Sequence, residues 1–177
     1  MTHSRLVQQL ALVPGPFHPL VEQRKRLSGP VGWSIPDRVD GETGFLAPLD
    51  IDGITVVDFA LRGIAYEHRV DAAVTFQLEI GTPGVRTRTP LIRLDWRPIS
   101  LQHRNPDRTM LIGDHVHPFD LNWLEIEQRM RRHNLPWAAP LPHAVESYGA
   151  LLDAAKAVFR ISNVDIIPPP EWSPKLI

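Results

Sequence analysis

The chain predicts an α+β fold: a mainly antiparallel sheet of four to six strands with two C-terminal helices packed on one face. Three observations support this. Apolar residues alternate with polar ones through the middle of the chain, helical spacing appears only late, and eighteen prolines punctuate the sequence instead of filling one linker. Period-two alternation is the mark of a half-buried strand, and proline fixes φ while donating nothing to a ladder, so it falls at turns and element ends.

The strands come first. In AVTFQLEI (73–80), Val74, Phe76, Leu78 and Ile80 alternate with Thr75, Gln77 and Glu79. ITVVDFALRG (54–63) is rich in β-branched residues, and TPLIRLDWRPI (89–99) sets Ile92, Leu94 and Trp96 against Leu91, Arg93, Asp95 and Arg97. A sheet with one apolar and one polar face suits antiparallel pairing with helical cover on one side. Ahead of these, LVEQRKRLSG (20–29) reads as a short helix stopped by Gly29 and Pro30, with QRKR as its solvated face.

The two helices follow. Asp120 is placed to N-cap LNWLEIEQRMRRHN, in which Trp123, Ile126 and Met130 recur at helical spacing and RMRR supplies a solvated, dipole-favoured C-terminal half. AVESYGALLDAAKAVFRISN repeats the pattern through Tyr148, Leu151, Leu152, Ala155, Val158 and Phe159, with Asn163 as its stop. The tail VDIIPPPEWSPKLI is too rich in proline for a helix and is expected to run as an extended strap. The chain then divides into a helical or irregular segment (1–45), the sheet (46–119), the helices (120–163) and the tail (164–177), all in one domain.

Composition narrows the function classes. The 177 residues are 43% hydrophobic and 22% charged, with a net charge of −1. No global electrostatic footprint for nucleic acid or an anionic membrane is present. With no cysteine, disulfides, zinc–thiolate sites and cysteine nucleophiles are excluded, and any metal needs histidine and carboxylate ligands. No apolar run reaches the roughly 18–20 residues of a membrane span, and the N-terminus lacks the pattern of a secretory leader, so a cytoplasmic protein with no membrane partner is expected.

Chemistry concentrates in HRNPDRTMLIGDHVHPF (103–119). In an extended segment His115 and His117 point the same way, as do Arg93 and Asp95. Pro106 and Asp107 suit the central positions of a type I turn. With those two as the whole loop, His103 lies opposite Met110 and faces away from His115; a bulge or a loop of odd length brings it round.

Three readings stay open. In one, His103, His115 and His117 with Asp95 perform metal-independent acid–base chemistry on a phosphodiester, while Arg93, Asn105 and Arg97 bind substrate. In the second, His115 and His117, with His103 or Asp95, hold a divalent metal. In the third, these residues form a structural polar network. Arg86, Arg88, Arg93, Arg97, Arg104 and Arg108 outnumber Asp95 and Asp107 locally, which favours a phosphate-bearing partner such as RNA or a nucleotide.

RLDW, HRNPD, HVH and WAAPLP, in that order, resemble an uncharacterised prokaryotic family of small proteins, often encoded by phages or mobile elements. The resemblance covers about residues 70–177 and makes Arg93, Asp95, His103, Asn105, His115, His117 and Trp137 the signature positions. Here Arg108 stands where a turn glycine is usual, and Pro118-Phe119 replaces an aliphatic–aromatic pair. The family has no settled activity. Its mobile-element setting implies, by analogy, a toxin-like endoribonuclease, or else a non-enzymatic interaction protein such as an antitoxin or regulatory subunit.

Overall fold

A computed structural model of the chain describes residues 17–82 and 84–173. Most of the N-terminal apolar run, the middle of the 82–84 proline turn and the end of the tail lie outside the described residues. After a short helix α1 (His18–Glu22), strands β1 (Lys25–Leu27), β2 (Glu42–Ile51), β3 (Ile54–Tyr66), β4 (Val74–Ile80) and β5 (Thr89–Trp96) follow one another across a sheet. A separate hairpin, β6 (Gln102–Arg104) and β7 (Met110–Ile112), leaves the sheet before β8 (His115–His117) returns beside β5. A helical turn α2 (Phe119–Asn122) and a small ladder of β9 (Trp123–Leu124) with β10 (Arg129–Met130) precede the edge strand β11 (Ala139–Pro140). The seven-stranded sheet runs β1-β2-β3-β4-β5-β8-β11, and every pairing in it is antiparallel.

The three strands expected from alternation form where expected, and the α+β class holds. Cross-strand register explains the sidedness of the sheet. Leu61, Leu78 and Ile92 lie in line, as do Phe76 and Leu94. All are buried and belong to one core cluster with Trp96. Helix α3 (Tyr148–Phe159) adds Leu151, Ala155 and Phe159, spaced four apart, to the same cluster. Ser147 caps α3 by accepting from the Ala150 amide, and the Trp96 indole donates to the Val145 carbonyl just before it. Register places Thr75 and Gln77 beside Asp95 and Arg93 on the opposite, polar face.

Several expectations are corrected. The sheet has more strands than four to six, because β1 and the proline-bearing β11 extend its two edges. The helix expected over 20–29 ends at Glu22, and part of QRKR becomes β1 with Lys25 buried. Among the described residues only one long helix covers the sheet. In the segment beginning at Asp120, Trp123 and Met130 are buried directly opposite each other across the β9–β10 ladder, while Ile126 is fully exposed at its turn. Apolar residues seven apart satisfy a helix or a hairpin equally well, and pairing the two large side chains against the core decides for the hairpin. Helix α3 stops at Arg160, which takes a left-handed conformation (φ 54°), three residues before Asn163. In the tail, Val164–Ile166 form a 3-10 turn. The chain beyond it is then tied down: Trp33 and Tyr148 donate to the Pro168 carbonyl, and the Ser173 amide donates to Glu67. No described helix is long and apolar enough to cross a membrane.

Lys25 sits on the apolar face with no exposed surface, its ammonium donating to the Val21 and Gln23 carbonyls at 2.8 and 2.6 Å. Burial, reinforced by the Arg160 charge, lowers its pKa from 10.5 to about 8. Between those values the unfolded chain holds a proton that the folded protein has released, so stability rises with pH from about 8 to about 10.5. Urea titrations across this interval should show that rise, and Lys25→Met should flatten it. Phe159→Ala, which empties a fully buried site at the end of α3, should cost about 3–5 kcal/mol in the same assay.

Candidate functional site

The hairpin turn brings His103 to the other histidines. The Arg108 amide bonds to Asn105 O and the Asn105 amide to Thr109 O, which leaves three residues, Pro106, Asp107 and Arg108, in the loop. Arg108 is left-handed (φ 74°), the arrangement of a type I turn followed by a G1-type bulge. His103 therefore pairs with Leu111 instead of Met110. Its ring lies 5.2 Å from that of His115 and 4.7 Å from that of His117, centroid to centroid. One ring nitrogen from each of the three lies within 4.8 Å of the other two.

Strand register assembles the remainder. Arg93 is paired with His117 and Asp95 with His115 across β5 and β8, while Thr75 pairs with Asp95 across β4 and β5. Asp95 Oδ1 accepts from the Thr75 hydroxyl at 2.6 Å. Asp95 Oδ2 accepts from Arg93 Nε at 2.8 Å and lies 3.3 and 3.2 Å from Nε2 of His115 and His117. Burial alone would raise the Asp95 pKa. The bond to His115, the Arg93 charge and the Thr75 hydroxyl outweigh it and hold the carboxyl ionised, far below the usual range.

A strap from Asn134 to Ala138 closes over these side chains. Five consecutive backbone carbonyls each accept from a different one: Asn134 from Arg93 Nη1, Leu135 from His117 Nδ1, Pro136 from His103 Nε2, Trp137 from Asn122 Nδ2, and Ala138 from Asn105 Nδ2. The Asn122 and Asn105 side-chain oxygens accept in return from the amides of Trp137 and Ala138. The strap enters through three successive left-handed residues, His133, Asn134 and Leu135, at φ 67°, 53° and 60°. Such conformations cost of order 1–3 kcal/mol each for residues other than glycine and persist only where surrounding contacts impose them.

These partners assign the tautomers. His117 donates from Nδ1 to Leu135, and its Nε2 accepts from Arg93 Nη2 at 2.6 Å. Desolvation, opposed by Asp95 and aided by the Arg93 charge, lowers its pKa and keeps it neutral. His115 donates from Nδ1 to Gly113 at 2.8 Å and faces Asp95 with Nε2. Burial opposes its protonation, but the bond to Asp95 and the Gly113 carbonyl prevail and raise its pKa. His103 spends Nε2 on Pro136 and keeps Nδ1.

The structure thus brings together Arg93, Asp95, His103, His115 and His117. Asn105 is adjacent, with its amide committed to the strap. Arg97 stands apart: its backbone amide bonds to Asp114 Oδ1, its guanidinium to the Asp71 and Glu146 carbonyls, and it lies over the Trp96 ring. Trp137 contributes through its backbone. Thr75 and Asn122 were not foreseen from the sequence. Thr75 could have been found from the β4–β5 register, whereas nothing local marks Asn122, which is fully buried. Beside the cluster, the polar face carries a second ionic group in which buried Glu79 takes both Arg62 and Arg88.

Asn105→Ala should destabilise the protein by about 2–3 kcal/mol in chemical denaturation, since it leaves a carbonyl and an amide of Ala138 buried without partners. No protein-family model, no curated protein and no solved structure matches this chain.

Proposed function

We propose that His103, His115, His117 and Asp95 form a divalent-metal centre of zinc type and that the protein is a metal-dependent hydrolase of phosphate esters. One observation supports this above the others. Each imidazole has one ring nitrogen anchored on a backbone carbonyl, and the three rings can each bring one nitrogen within 4.8 Å of the others. Anchoring one N–H on a carbonyl is how metal-binding histidines have their tautomer and ring plane set. Metal–nitrogen bonds of about 2.0–2.1 Å imply tetrahedral ligand–ligand edges of about 3.3 Å. The two edges from Asp95 Oδ2, at 3.3 and 3.2 Å, match that spacing. A nitrogen-and-carboxylate donor set suits zinc, iron or manganese.

The chain's own groups then divide the work. Asp95, fixed by Thr75 and Arg93, supplies the negative charge that offsets the cation. Arg93 bonds to His117 Nε2 and Asp95 Oδ2, the atoms a metal would take, so with those atoms on a metal its guanidinium would be available to stabilise developing oxyanion charge. A cation held by these residues would supply Lewis acidity.

The opposed pKa shifts of His115 and His117 favour a second reading, a metal-free acid–base pair. Against it, both rings are buried, at 4% and 0% exposure, and their Nε2 atoms face Asp95, with which they could share a bound ion, and Arg93, not an open surface. Neither presents a nitrogen to a substrate.

Metal analysis of untagged protein should find about one equivalent of zinc, iron or manganese, lost in His115→Ala/His117→Ala. Hydrolysis of bis(p-nitrophenyl) phosphate should fall to background with EDTA and return with metal. Undiminished hydrolysis in EDTA selects the acid–base pair; no metal and no hydrolysis removes both enzymatic readings. Arg93→Lys should retain the metal and lower turnover by about 100-fold, because an ammonium cannot reproduce the planar fork.

A further inference from the structure

Behind the strap lies a cleft of about 550 Å³ lined by Phe17, Arg88, Thr89 and Pro90 on one side and by residues 128–134 on the other. Arg129, Arg131, Arg132 and His133 all belong to that second wall. The wall is the outgoing strand and exit of the β9–β10 ladder, which the periodicity had placed on a solvated helix face. The hairpin that replaces the helix gathers these basic residues around one concavity. The protein as a whole carries a net charge of −1, so the clustering is local.

Some of that charge is spent within the protein. Arg88 is held by Glu79 and Asp58, and Arg129 by Glu127. Arg131 bonds to the Leu121 carbonyl only through Nε, which leaves its two terminal nitrogens. Arg132 and His133 are exposed. Neither has an ion pair among the described residues. Phe17 brings an aromatic ring, edge-on to Trp123.

The cleft and the histidine cluster share a wall. Asn134 lines the cleft, and its carbonyl receives Arg93 Nη1 at 3.0 Å. The next two carbonyls hold His117 and His103. A group in the cleft therefore lies one residue of backbone away from the side chains that would carry the chemistry.

We infer that this cleft binds the phosphodiester backbone of a single-stranded nucleic acid and leads it to the histidine cluster. Two arginines with uncommitted terminal nitrogens beside an aromatic ring are the chemistry that follows a strand, and a concavity of this volume admits one or two nucleotides but not a duplex. The inference builds on the metal-centre reading for what happens to the strand. Binding in the cleft itself needs no metal, so the two can fail separately.

The test uses a fluorescein-labelled twelve-nucleotide single-stranded RNA and the full chain in EDTA, read by anisotropy over a series of salt concentrations. Two or three phosphate contacts predict a slope of log affinity against log salt of about −1.4 to −2.1. Arg132→Glu should weaken binding at least about tenfold and make the slope shallower by about 0.7, the loss of one contact. Arg132→Lys should restore most of the affinity, which a merely misfolded variant would not show, and metal content should be unchanged in both. Equal affinity of wild type and Arg132→Glu overturns the assignment. So does equal competition by a duplex of the same length, or by a mononucleotide at the same molar concentration. Absence of metal from the untagged protein as purified, with salt-dependent RNA binding retained, would overturn the metal centre and leave the cleft standing.

Discussion

The strap at 134–138 is the constraint on which the site depends. Five carbonyls in succession are removed from any regular ladder, and a buried carbonyl without a donor costs about 1–3 kcal/mol. Each instead receives one side-chain donor, from Arg93, His117, His103, Asn122 or Asn105. These donors come from β5, β8, the β6–β7 hairpin and α2, so a single backbone segment ties together elements spread over much of the chain. The left-handed run at 133–135 is strain held in place by that set of bonds.

The same network shapes the electrostatics. A buried carboxylate, two buried imidazoles and an arginine share one face of β5 and β8. Left alone, the carboxylate and the imidazoles would be driven toward their neutral forms; together with Arg93 they hold Asp95 ionised and separate the protonation of His115 from that of His117. A buried ionic cluster of this kind adds little net stability compared with apolar packing.

Much of the site was legible because its parts are local. Same-side placement of His115 with His117, and of Arg93 with Asp95, follows from the two-residue period of a strand. The turn chemistry of Pro106-Asp107 marked the place of the hairpin but left its loop length open, and a left-handed Arg108 supplies the extra loop residue on which the position of His103 depends. Arg97 was misplaced for a related reason. Alternation assigns it to the face of Arg93 and Asp95, but β5 ends at Trp96 and Arg97 turns left-handed, so the period no longer applies to it.

By itself the sequence determined β4, β5 and α3, whose apolar periods are long enough to permit only one secondary structure, and β3, through its β-branched residues, and it determined which histidines share a strand face. Tertiary structure decided what short-range pattern leaves degenerate. The stretch around Trp123 and Met130 is a hairpin because their mutual burial against the core is worth more than helix propensity, and β1 forms because the edge of β2 is there to receive it. Only the folded chain can bring the carbonyls of Asn134 to Ala138 over side chains some fifteen to forty residues away in sequence. No local pattern encodes a backbone segment whose every partner is distant.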